Sequence, residues 1–250
     1  MQQFRPTGFN VLPPVIKNLL IINVLFYLAT IALSSSFNID MVEYLGLHYP
    51  ASKDFGIWQI VSYMFMHSPT NFTHVLFNMF ALWMFGNTLE NVWGSKRFLN
   101  YYLITGIGAG IVQILVAWIR VRAVEAGMDS EQIAIVLQEG SAILSKGMNY
   151  QDPAMSTLNA IINTPTVGAS GAVFGILLAF GMMFPNSLIY VYFAFPVKAK
   201  YFVMIYGAIE LFSGISNNAG DNVAHFAHLG GMVIGFFVIM FWKKRGTLFQ

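Results

Sequence analysis

The stretch VAHFAHLGGMVIGFFVIMFWKKR, residues 223–245, decides the fold. It is apolar from about Val223 to Trp242 and stops on Lys243, Lys244 and Arg245. A run of about 20 apolar residues crosses the hydrocarbon core of a bilayer as one helix, and a basic cluster marks its cytoplasmic end. Two histidines, His225 and His228, sit inside the run. An ionisable side chain within a span is expensive, which makes it a functional-site candidate from the outset. Ala224, His228, Gly231 and Gly235 are spaced 4, 3 and 4 apart and line one helical stripe. Small residues on such a stripe let a neighbouring helix approach closely.

Five further apolar spans lie upstream, at about 15–33, 72–89, 98–119, 168–184 and 201–212. Together with 223–242 they predict an all-α membrane protein, six transmembrane helices forming one membrane domain over residues 1–250. Composition agrees: 56% of the chain is hydrophobic and 10% charged, against about 25% charged in soluble domains. The net charge of +2 gives no basis for a nucleic-acid partner. Without cysteine there is no disulfide framework, thiolate nucleophile or cysteine metal site. Nothing reads as a cleaved export signal followed by a soluble domain. Arg5, Lys17, Lys96, Arg97, Lys198, Lys200, Lys243, Lys244 and Arg245 fall on one side of a six-span bundle, and only Lys53, Arg120, Arg122 and Lys146 on the other. That bias predicts cytoplasmic termini. The outer side then carries two long loops, about 34–71 and 120–167. Ile57-Trp58-Gln59 in the first suits the membrane interface. The second holds a helical pattern around 131–144, with Ile133, Val136, Leu137 and Leu144 on one side, which lies on the membrane surface or caps the bundle. The fourth and fifth spans are short, which suggests a thinned or water-reached site.

Three segments carry chemistry. Gly168-Ala169-Ser170-Gly171-Ala172-Val173-Phe174-Gly175 opens the fourth span. A serine in a first helical turn is surrounded by free backbone N–H groups over the positive end of the helix dipole, and such donors can stabilise an oxyanion. Gly171, Gly175 and Ala179 form a small-residue stripe, so helix packing with a capping serine is the plain alternative. His228 on its stripe is either a base or a buried histidine bonded to a carbonyl. A metal held by Asp221, His225 and His228 is a third possibility, but no H-E-x-x-H motif accompanies it, and no metal or cofactor is expected. His74 and Asn78 share one face of the second span, where they could donate to an oxyanion or tie helices together.

The set closely resembles the rhomboid family. The matching pieces are G-x-S-G at Gly168–Gly171, A-H-x-x-G-x-x-x-G at Ala227–Gly235, H-x-x-x-N at His74–Asn78 and E-x-x-x-G-x-x-x-F at Glu90–Phe98. Their order and their placement on the second, fourth and sixth spans match too, and the likeness runs from about Pro13 to Trp242. The resemblance implies a six-helix rhomboid bundle and an intramembrane serine endopeptidase that cleaves transmembrane segments. Ser170 would be the nucleophile and His228 the base, with His74, Asn78 and Gly168, together with the Ser170 amide, around the oxyanion. Phe174 stands where family members often carry an aromatic that packs on the histidine ring. The fifth span and the Ser213–Gly220 loop form the candidate gate, and single-span membrane proteins in the bilayer are the expected substrates. The resemblance also implies a plasma (inner) membrane location, with the site opening to the non-cytoplasmic side. Trp58-Gln59 departs from the family's frequent Trp-Arg, and the second outer loop is longer than the pattern leads one to expect.

Two other classes stay open. One is a catalytically inactive rhomboid-like binder of membrane helices, against which intact Ser170 and His228 argue. The other is a transporter using Glu210, His67 and His74 as a proton path, which the absence of an internal repeat disfavours. Glu210 lies near the outer end of the fifth span, where water or a neighbouring polar group would satisfy it, and it is not expected to be a third catalytic residue. His225, one turn closer to water than His228, is expected to meet the outer loops or the headgroups.

Overall fold

A computed structural model describes residues 10–191, 194–216, 224–246 and 248. Arg5, Asp221, Val223 and the 217–220 part of the candidate gate loop lie outside the described residues. Ten helices and one small hairpin are present among the described residues. Helix α1, Pro14–Phe37, starts with proline at its first position, where a missing N–H costs nothing, and ends at Asn38 in the left-handed conformation. Short helices α2, Met41–Leu45, and α3, Gln59–Ser62, lie in the first outer loop, followed by a 3-10 turn at Tyr63–Phe65. Long helices α4, Phe72–Trp93, and α5, Ser95–Glu125, break at Gly94. Then come α6, Ser130–Leu144, α7, Pro153–Asn163, and α8, Ser170–Met183. Strands β1, Leu188–Val191, and β2, Phe195–Lys198, pair antiparallel with Leu188 opposite Lys198. Helices α9, Ala199–Ser216, and α10, His225–Lys244, complete the order.

Polarity is inverted relative to a soluble domain. Asn23, Thr30, Asn78, Asn87, Glu90, Thr105, Glu210 and His228 are buried, while Leu25, Leu28, Phe77, Leu115, Trp118, Phe212 and Phe237 face outward. A bilayer accepts an apolar exterior, and the bundle interior satisfies the polar groups. Helices α1, α5 and α10 are long and apolar enough to cross a membrane, and α8 is a shorter apolar helix. Helices α4 and α9 coincide with the expected second and fifth spans, and their polar side chains, Asn78, Asn87 and Glu90 in one and Lys200 and Glu210 in the other, make them less apolar.

Boundaries differ from the sequence expectation in two places that matter. Helix α8 begins at Ser170 and not at Gly168, because Gly168 takes φ 127°, a conformation that glycine alone adopts readily. Helix α9 is described as far as Ser216, so Ser213–Ser216 are helical and not part of a loop.

The segment between α5 and α8 packs on the end of α5. Val121 at the end of α5 joins Val136, Leu158 and Ile162 in a small core of its own. Asp129 caps α6 through a reciprocal capping box with Gln132, and Asp152 caps α7 ahead of Pro153. The two outer loops are tied together: Ser141 Oγ donates to Asp54 at 2.5 Å, Ser52 Oγ to Asn163 at 2.8 Å and Lys53 Nζ to the Gln138 carbonyl at 2.6 Å. Ile57 and Trp58 are exposed, whereas Gln59 is buried and donates to the Tyr44 and Asp54 carbonyls.

The Glu90 motif has a structural explanation. Its buried carboxylate accepts from the backbone N–H of Val15 and Ile16, at 2.9 and 2.8 Å, and from Ser95 Oγ at 2.6 Å. The free amides at the start of α1 are thus satisfied by a side chain from α4. Phe98, the last residue of that motif, is fully buried.

Candidate active site

Ser170 is the first residue of α8, and no side chain caps that helix start. The segment before it is held from two sides. Thr166 pairs with Leu47 as an isolated bridge, and Gly168 N–H donates to the Tyr63 carbonyl at 2.9 Å. Tyr63 is in turn fixed by its hydroxyl on the Gly106 carbonyl of α5, at 2.6 Å. A Cβ on Gly168 would stand 3.1 Å from the His74 ring and 3.4 Å from Ser170 Oγ. His74 and the serine therefore flank one small volume that the missing side chain leaves open.

Helix α10 brings His228 to the same place. Gly231 sits so close to α8 that a Cβ there would collide with the Gly171 carbonyl, and Gly235 lies against Gly175 and the Tyr101 hydroxyl. Close backbone approach of this kind needs small residues on both helices. The His228 ring stacks on Phe174, 4.2 Å between centroids and 6° from parallel, as the resemblance implied. Phe174 is one turn after Ser170 on α8 and stacks on its other side with Tyr206 of α9, at 5.4 Å. His228 is buried, at 8% exposure, and Ser170 is half-buried. Among the described residues the serine hydroxyl makes no hydrogen bond, with His228 or otherwise.

Glu210 of α9 is buried, and the structure departs from the expectation for His225. One carboxylate oxygen, Oε2, lies 2.8 Å from His228 Nδ1 and 2.6 Å from His225 Nδ1. Glu210 is thus satisfied by neighbouring polar groups, the two histidines, and His225 turns toward this carboxylate. A contact between two spans leaves no spacing signal in the sequence.

Of the other candidates, Asn78 is buried and its side-chain amide donates to the His74 carbonyl one turn earlier in α4, at 2.8 Å. His67, outside the spans, was named only as part of a proton path. It is fully buried against His74, 5.3 Å between ring centroids, with neither ring nitrogen hydrogen-bonded. Burial, and then the neighbouring His74, push its pKa down to about 4, so it is neutral at physiological pH.

Residues 54–245 match the model of a protein family described as Rhomboid domain. Rhomboid protein 1, mitochondrial, from Saccharomyces cerevisiae is 26% identical over 176 residues, which are 70% of this chain and 39% of that protein. Rhomboid protease AarA from Providencia stuartii is 28% identical over 185 residues, 71% of this chain and 53% of that protein. Rhomboid protease GlpG from Haemophilus influenzae is 33% identical over 76 residues, 30% of this chain and 38% of that protein. The chain thus spans about two fifths to one half of the length of these curated relatives.

Proposed function

We propose that this chain, which belongs to the rhomboid family, is an intramembrane serine endopeptidase acting on transmembrane segments of membrane proteins. Ser170 Oγ attacks the scissile carbonyl carbon while His228 Nε2 takes the hydroxyl proton. The tetrahedral oxyanion is met by the Ser170 amide, with His74 and Asn78 as side-chain donors; the Gly168 N–H, expected among these donors, is already committed to the Tyr63 carbonyl. Collapse expels the amine, which receives the proton from His228, and water then hydrolyses the acyl-enzyme by the same base. No metal or cofactor takes part.

The single observation that carries this reading is the seating of α10 on α8. Gly231 meets the Gly171 carbonyl, and His228 lies flat on Phe174, one turn from Ser170. A base held beside a serine at an uncapped helix start is the arrangement that nucleophilic catalysis requires. The similarity to relatives named rhomboid proteases supports it.

The remaining parts of the reading are six spans with cytoplasmic termini, a site opening to the non-cytoplasmic side of the plasma (inner) membrane, single-span substrates and lateral entry beside α9. The exposed apolar residues of α9, Met204, Ile205, Ile209 and Phe212, suit a helix that meets lipid or substrate.

One observation favours a second reading, a non-catalytic binder of membrane helices: the serine hydroxyl and His228 are not hydrogen-bonded. Catalytic hydrogen bonds are often long without substrate and tighten in the complex. Labelling of the purified protein with a fluorophosphonate separates the two. The protease reading requires labelling in the native protein and none in Ser170→Ala; no labelling in either would support the binder.

A further inference from the structure

We propose that Glu210 is a positioning residue for His228, holding it in the tautomer that leaves Nε2 free to act as base. The proposal rests on the protease reading above. A carboxylate can only accept hydrogen bonds. With Glu210 Oε2 2.8 Å from His228 Nδ1, the proton of the neutral ring is held on Nδ1, and the lone pair is left on Nε2. When the base takes the serine proton, the resulting imidazolium gains a charge-assisted hydrogen bond from the same carboxylate. A group of this kind stabilises the charged base without itself accepting the proton.

The surroundings fix this geometry. The flat stack on Phe174, 6° from parallel, fixes the plane of the ring, and the bond to Glu210 fixes which of the two flipped orientations it takes. Phe174 is itself backed by Tyr206, on the same helix as Glu210. His225 Nδ1 is 2.6 Å from the same oxygen, so the carboxylate faces two donors and is not a lone buried charge. That second contact distinguishes the arrangement from a simple Ser-His pair: the acid is anchored by His225 and presented to His228. Charged or titratable groups around His228 are Glu210 on α9, His225 on its own helix and His74 on α4.

The test compares Glu210→Gln and Glu210→Asp with the native protein in detergent or liposomes. Glutamine can turn its amide N–H toward Nδ1, which favours the wrong tautomer. The expected result is a fall of about 10²-fold or more in kcat for a model membrane substrate, up to the roughly 10⁴ seen when a catalytic acid is made an amide. The KM should change little. The rate of fluorophosphonate labelling, counted per folded molecule, should fall in parallel, and Glu210→Asp should recover part of it. Nitrogen NMR of histidine-labelled protein should show His228 as the Nδ1–H tautomer in the native protein and not in Glu210→Gln. If Glu210→Gln lowers thermal stability but leaves labelling per folded molecule and the His228 tautomer unchanged, Glu210 only neutralises buried histidines and the proposal is wrong. Glu210, His225 and His228 also offer one ligand atom each within 4.8 Å of one another. Activity lost in chelator and restored by zinc would likewise overturn it. If the native protein is not labelled at all, the protease reading itself fails, which is a different result.

Discussion

Replacing Gly231 by alanine should cut turnover without touching any group that performs chemistry. A Cβ at position 231 would overlap the Gly171 carbonyl and stand 2.7 Å from its carbon, where ordinary contact begins at 3.4 Å. The obstacle is backbone, so no side chain can rotate away. Helices α8 and α10 must part by about 0.7 Å at least, and His228 rides on α10 one turn away. A misplacement of about 1 Å costs on the order of 10² in rate, or about 2.7 kcal/mol of barrier. Overpacking of this kind also costs about 1–3 kcal/mol of stability. The assay is cleavage of a model membrane substrate in liposomes, normalised to the folded fraction from a thermal melt. Gly207→Ala is the control, because its Cβ would meet only the flexible end of Met232, at 3.1 Å. Native turnover in Gly231→Ala, with normal stability, would refute the claim that the α8–α10 contact positions the base.

Other outcomes follow from the same geometry. His74→Ala and Asn78→Ala should each lower turnover by roughly 10²–10³ while Ser170 still reacts with a fluorophosphonate; loss of folding with unchanged specific activity would make both residues structural. His228→Ala should eliminate cleavage and labelling, and His225→Ala should leave both measurable; the reverse pattern would transfer the base to His225. Glu90→Ala should lower the melting temperature, because uncapping α1 costs about 0.5–2 kcal/mol, and an unchanged melt would show that the Val15 and Ile16 contacts contribute nothing. Glu43, in the first outer loop near His48, is raised to about 7 by burial first and by Asp54 second, with Asp40 adding to the effect. Its folded pKa exceeds the unfolded value, so the folded chain keeps a proton that the unfolded chain releases. Stability should therefore fall as pH rises from about 4.5 to about 7 and hold at lower pH. Melts of Glu43→Gln across that range should lose this slope; an identical slope would exclude Glu43 as its source.

The elements that sequence announced were those governed by local rules. The basic stop at 243–245, the proline start of α1 and the helical pattern of α6 all depend on residues close in the chain. Helix α7 carries a local start signal of its own, Asp152 ahead of Pro153. The β1–β2 hairpin is short: Leu188, Tyr190 and Phe195 are exposed and only Ile189, opposite Val197, is buried, too brief an alternation to announce a strand. At the site, the motifs located Ser170, His228 and the glycine stripes because each is a pattern within one helix. The contacts of Glu210 and His67 were not legible. They join different elements, and their depth in the bundle depends on boundaries that shift by several residues.

The carboxylate of Glu90 has a bearing on how the chain is assembled during synthesis. The first helix reaches the bilayer before residue 90 has been made, so its leading amides begin with nothing from the protein to accept them. Only when α4 enters does the ribosome deliver the group that closes that end, and Ser95, at the start of α5, then secures it. The first hairpin of the nascent chain is thereby given a latch that engages late. A fragment ending before residue 90 should therefore leave the start of its first helix without the acceptor that the full chain supplies.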